Sequence, residues 1–183
     1  MQIRLETKPY AGVETDALVT YVFEDADPVQ GRIAEIDQAT GGLLRKLAKG
    51  GELTGKTLEM TLVHAPAGLK AARLLLVGAG KREKFDSTAL RRISGAALRY
   101  LKSRGVHQFL FAAREGNATE DAAQAIAEGL LAADFESDKY KTDKKNDKSI
   151  DAVQVAGFSD SERAAGERGI ARGTVIGESQ NFA

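Results

Sequence analysis

Apolar residues fall along this chain in two rhythms, and the switches between them outline its elements. Residues 2–7 alternate, with Ile3 and Leu5 on one face, which predicts a half-exposed strand. Residues 17–23, ALVTYVF, are apolar or β-branched throughout and predict a strand buried on both faces. Asp27 followed by Pro28 has the chemistry of a helix start, with Asp27 as N-cap and Pro28 at the first helical position. Val29, Ile33, Ile36, Thr40, Leu43 and Leu47 then recur at spacings of four and three, forming one helical stripe. Gly41-Gly42 weakens that helix in its middle, and Gly50-Gly51 ends it.

Leu58, Met60 and Leu62 alternate as a third strand. Beyond the turn at Pro66-Ala67-Gly68, the run LLLV at 74–77 reads as a fourth, and the short connection predicts that the two pair. Asp86 or Ser87 caps a second helix carrying Leu90, Ile93, Ala97 and Leu101. A strand follows over 106–112, around Phe109, Leu110 and Phe111. Asn117 or Thr119 starts a third helix through Ile126 and Leu130. After a charged stretch come a strand at about 150–156 and a last helix from about 160. The order β-β-α-β-β-α-β-α-β-α predicts an α/β layer structure with helices on both faces of the sheet. The early β-β steps predict a mixed sheet.

The last helix opens on a capping box, Ser159-x-x-Glu162. Gly166, Gly169, Gly173 and Gly177 follow, the last three spaced by four. Each interior glycine costs a helix roughly 1 kcal/mol against alanine. A row of them on one face suits a helix against which another backbone packs closely. The chain stops in mid-pattern at Asn181-Phe182-Ala183, as a piece of something longer is expected to do.

Composition narrows the classes. At 183 residues and 43% hydrophobic content, there is material for one good core. Acidic and basic residues balance at 26 each, so no net charge draws the chain toward nucleic acid or an anionic membrane. With no cysteine, disulfides, thiol nucleophiles and thiolate metal sites are excluded. No apolar run approaches the roughly 18 residues of a membrane span, and the expected setting is the cytoplasm.

The candidate chemistry begins at Gly78-Ala79-Gly80-Lys81, where a buried strand runs into a glycine turn. A P-loop requires Ser or Thr after the lysine and a Gly five positions before the second glycine. Here Arg82 follows Lys81, and Leu75 stands at the other position. The dinucleotide fingerprint would place its third glycine at Glu83. Both motifs fail. Two readings stay open: a structural turn, or backbone N–H groups of Gly78, Ala79 and Gly80 holding an anion. His64 and His107 each stand alone at a strand end, without metal-ligand spacing. No G-x-S-x-G or Ser/His/Asp arrangement appears. Residues 138–148, DKYKTDKKNDK, read as a solvated loop. Residues 81–104 hold eight basic side chains, and Arg91, Arg92, Arg99, Lys102 and Arg104 give the second helix a basic face. A solvated face explains them; nucleic-acid binding is the alternative, without an aromatic stacking platform to support it.

Three stretches together resemble the leucyl (cytosol) aminopeptidase family. EGLLAADFESDKYKTDKK at 128–145 is similar to a family stretch in which a Gly-Leu-Leu helix end precedes an aromatic residue, an acidic residue, Lys/Arg, Tyr and Lys. VGAGKREKFDSTALRRISGAALRYL at 77–101 resembles the family's strand, Gly-x-Gly-Lys turn and basic helix. IARGTVIGESQNFA at 170–183 resembles the helix that leads into the family's catalytic domain. The likeness is to the N-terminal domain alone. It implies a macro-domain-like mixed β-sheet flanked by helices, with 1–158 as the domain and 159–183 as a connecting helix. It also implies a C-terminal catalytic domain as partner, with two divalent metal ions (zinc or manganese), and a homo-hexamer. The metal-binding signature does not occur here, so the resemblance assigns this chain no catalytic residue and no metal ligand. Macro domains also supply the alternative of a module binding an ADP-ribose-type nucleotide.

Overall fold

Ala17–Val22 (β2), Arg73–Gly78 (β4) and Gln108–Ala112 (β5) are the buried apolar runs, and they lie side by side. In this computed structural model, residues 1–114, 118–135 and 149–181 are described. Gln2–Glu6 (β1), Met60–His64 (β3) and Ala152–Ala156 (β6) complete a six-stranded sheet of order β1-β6-β5-β2-β4-β3. All neighbours are parallel except β3, which pairs antiparallel with β4 and makes the sheet mixed.

Both faces are covered, because each central strand points alternate apolar side chains to opposite sides. On one side Val19, Tyr21, Leu75, Val77, Phe109 and Val155 meet Ser87–Lys102 (α3), Glu120–Asp134 (α4) and Arg163–Asn181 (α5). On the other, Leu18, Val22, Leu74, Leu76 and Leu110 meet Ile33–Ala39 (α1) and Leu43–Lys49 (α2). Asp86 caps α3 by accepting from Ala89 N at 2.8 Å, and Thr119 caps α4 by accepting from Ala122 N at 3.1 Å. Asn117, the other candidate, lies outside the described residues, as does the charged stretch 138–148.

Three expectations are corrected. No helix begins at Pro28: Asp27 Oδ1 accepts from Val29 N at 2.9 Å in a local turn, Gly31 is left-handed, and α1 starts at Ile33. The predicted single helix is two, because Gly41 and Gly42 both take positive φ (65° and 81°), which continues no helix. The first half of the stripe faces inward, with Val29, Ile33 and Ile36 buried; after the break Leu43 and Leu47 are only partly buried, and Leu44, outside the stripe, takes the core position. Leu58 is not in the third strand; it has φ 60° and is 39% exposed, because the chain is still folding over the end of β4 there.

The break leaves α2 without a capping side chain, since Gly42 precedes it. Asp37 of α1 supplies one. Its Oδ1 accepts from Leu44 N at 2.9 Å and Arg45 N at 3.2 Å, and its Oδ2 pairs with Arg45 at 3.1 Å. Asp37→Ala removes a cap and strands buried N–H groups. We expect a loss of about 1–3 kcal/mol, read as a lower urea midpoint at unchanged slope.

The glycine row of α5 faces α4. A Cβ on Gly169 would lie 2.8 Å from that of Ala123, and one on Gly173 2.5 Å from the carbonyl oxygen of Gln124. At its start, Glu162 accepts from Ser159 N at 2.8 Å and from Ser159 Oγ at 2.7 Å. The hydroxyl thus donates to the carboxylate and does not cap the helix. Amide exchange should show protection along α5 through Gly177. The Ser159 hydrogen bonds hold the Glu162 carboxyl below the ordinary carboxylate value. A depressed folded pKa means its contribution is present above the unfolded value and fades as pH falls through the folded one. Acid should therefore loosen the first turn before the middle of the helix.

Candidate functional site

In open α/β sheets, ligands gather at the carboxyl ends of the parallel strands. Here that edge comprises the ends of β2, β4, β5 and β6, and Gly78-Ala79-Gly80 lies within it. None of its three amides is open. Gly78 N donates to Glu59 O, Ala79 N to Val22 O and Gly80 N to Gly55 O, each at 2.8 Å. The glycines admit a neighbouring loop: a Cβ on Gly78 would strike the carbonyl of Lys56, and one on Gly80 would lie 2.5 Å from Thr57 Oγ1.

That loop carries a pattern the sequence reading passed over. Gly50, then four residues, then Gly55-Lys56-Thr57 has P-loop spacing. Its setting is reversed, however. A P-loop follows a strand and opens a helix, whereas this segment leaves α2 and enters β3. Its donors are also occupied: Glu59 Oε2 accepts from Thr54 N at 2.9 Å, Thr54 Oγ1 at 2.8 Å and Gly55 N at 3.1 Å. The carboxylate sits where a phosphate would and latches the loop over the β4 turn.

Beside the turn, side chains fill the crevice. The Phe85 ring stacks on Tyr21 with centroids 5.2 Å apart and meets Phe23 edge-on at 5.0 Å. The guanidinium carbons of Arg82 and Arg114 lie 5.0 and 5.4 Å from the Phe23 centroid. On the opposite face a shallow pocket of about 300 Å³ is lined by Val29, Ala34, Asp37 and Arg45, among others. The Asp37 carboxylate there is engaged by α2.

The remaining sequence candidates do not converge on this edge. His64 ends the antiparallel β3 beside Arg73, the first residue of β4, and His107 precedes β5, so both lie at the edge where the parallel strands begin. The His107 ring bonds Ser149 O at 3.1 Å. Among the described residues, no group of three His, Cys, Asp or Glu could hold a metal ion. The basic face of α3 is largely engaged. Arg91 pairs with buried Glu128, Lys102 with Asp134 at 3.0 Å, and Arg104 stacks on Tyr100. Among the described residues, no helix is long and apolar enough to cross a membrane.

A mixed sheet of this order with helices on both faces makes the chain a macro-domain-like α/β domain. It superposes on a macrodomain of Trypanosoma brucei in complex with ADP-ribose with a TM-score of 0.68 at 18% identity, over 91% of this chain and 68% of that one. It superposes on a tomato leucine aminopeptidase mutant with a TM-score of 0.74 at 19% identity, over 97% of this chain and 36% of that one. At those identities the likeness is one of fold. In sequence, the N-terminal domain of the cytosol aminopeptidase family matches residues 19–144. A probable cytosol aminopeptidase of Solibacter usitatus is 41% identical over 182 residues, and that of Acidobacterium capsulatum is 31% identical over 194. The chain belongs to the cytosol aminopeptidase family, as its N-terminal domain. It spans 35% and 38% of the length of those two relatives, and is covered completely in both.

Proposed function

We propose that this chain is the non-catalytic, assembly and shielding domain of a two-metal leucyl aminopeptidase, a cytoplasmic enzyme that removes N-terminal amino acids from peptides. One observation carries the reading: the whole chain aligns to little more than a third of longer aminopeptidases. The described residues do not fit the two metal ions, so zinc or manganese is assigned to a C-terminal catalytic domain of the same protein. In this reading residues 1–158 form the domain, and 159–183 connect it to that partner within a homo-hexamer. The purified chain should show no turnover of leucine anilides or dipeptides, with or without manganese or zinc. Metal-dependent hydrolysis that follows the chain through purification overturns the non-catalytic assignment. Deleting 1–158 from the full-length protein should shift its sedimentation from a hexamer to smaller species; an unchanged hexamer overturns the assembly role.

A further inference from the structure

We propose that Arg82 and Arg114 form a clamp for a phosphoryl group at the carboxyl ends of β2, β4 and β5. Arg114 follows β5 by two residues and is only 4% exposed. Its guanidinium donates to two backbone carbonyls, Tyr21 O at 3.2 Å and Gln30 O at 3.1 Å. Those are neutral acceptors, and they take two of its five donors. Among the described residues no carboxylate pairs with it. A buried charge ordinarily has an opposite charge in contact, because desolvation is costly. Burial is the main cause that lowers the Arg114 pKa and the nearby Arg82 lowers it further, while Tyr21 and the Asp27 carboxylate only partly offset them.

Arg82 brings a second cation to the same place. It is exposed, follows the β4 turn, and donates to Gln30 Oε1 at 2.7 Å. Gln30 therefore touches both guanidinium groups, one through its backbone and one through its side chain, and both lie by the Phe23 ring. The neighbouring carboxylates are turned to other donors: Asp25 Oδ1 accepts from Arg82 N at 3.0 Å, and Asp27 Oδ1 from Val29 N. Two converging like charges suit a group carrying close to two negative charges. A phosphoryl group carries about −1.5 to −2 at pH 7, and its oxygens match the guanidinium fork better than a singly charged carboxylate does. Held by one neutral side-chain hydrogen bond and its contact with the Phe23 ring, the exposed Arg82 can shift to admit the group. This clamp is independent of the family's activity and of the glycine turn, whose amides it does not use.

The test is thermal melting and NMR titration of the purified chain at constant ionic strength, with inorganic phosphate, adenosine monophosphate and acetate as separate arms. We expect saturable stabilisation by phosphate or the monophosphate ester, whichever is the source of the group, and none by acetate. Arg82→Ala should weaken the binding at least tenfold, and Arg114→Lys should do the same by losing the fork. Arg92→Ala, on exposed α3 surface, should leave it unchanged. If Arg114→Lys fails to fold, Arg82→Ala decides alone, since Arg82 is exposed. Lack of saturation, equal stabilisation by acetate, or undiminished binding in Arg82→Ala overturns the proposal.

Discussion

Gly129→Ala should destabilise the domain by about 3 kcal/mol, although alanine is the better helix former by about 1 kcal/mol. The sign is set by the helical layer. Gly129 lies where α4 crosses α3, and a Cβ there would strike the carbonyl oxygen of Arg91 and the hydroxyl of Ser94. Across the same contact, a Cβ on Gly95 would lie 2.9 Å from Gly129 O. A backbone carbonyl cannot rotate away as a side chain can, so the helices must separate and expose core. Gly173→Ala should behave similarly but less severely, against Gln124 O and the Ala127 Cβ at 2.8 Å. Gly177→Ala is the internal control. Its new methyl would meet Leu131 alone and no backbone atom, with the Cβ at 2.8 Å and Cδ1 at 2.9 Å, so it should cost the least of the three. Denaturant midpoints for the three variants give the ranking. A stabilised Gly129→Ala protein would mean that α3 and α4 do not pack this closely.

The second large effect concerns the ion pair beneath those helices. Glu128 is 3% exposed, pairs with Arg91, and accepts from Gln124 Nε2 at 2.7 Å. Removing one member of a buried pair leaves a desolvated charge and costs about 3–5 kcal/mol. Because Arg91 is half exposed and Gln124 remains, Arg91→Ala should fall near the lower end of that range. Replacing both partners by methionine should recover most of the loss, since no charge is then stranded. A double variant no better than the single one would show that packing by Arg91, and not its charge, matters. These outcomes also bear on the basic face of α3: Arg91 is occupied in holding α4.

The central strands were legible because ALVTYVF and LLLV are too apolar and too short for anything but strands buried on both faces. The edges were not. β1 pairs with β6, and a parallel partner 150 positions away leaves no local mark. The division of α1 from α2 was written in Gly41-Gly42, yet stripe periodicity alone could not show that both glycines would turn left-handed. The glycine row of α5 did announce close packing by another backbone, and the structure supplies it from α4. The Gly78–Gly80 turn was visible, but the occupation of its amides depends on Val22, Gly55 and Glu59, which approach only through tertiary structure. Arg114 gave no signal at all, because a lone arginine after a strand carries no pattern until burial singles it out.

The pairing of β1 has a consequence for biosynthesis. Among the described residues its only sheet neighbour is β6, residues Ala152–Ala156, so the first strand to leave the ribosome must wait for the last. At roughly 5–20 residues per second, that wait is about 8–30 s. Meanwhile β2, β3, β4 and β5 can already pair, because their sequences emerge within the first 112 residues. The nascent chain should therefore acquire a four-stranded core first, with residues 1–6 held unpaired outside it. Slow codons or a pause before residue 150 would prolong the exposure of Ile3 and Leu5, which pack on the core only once that pairing is made.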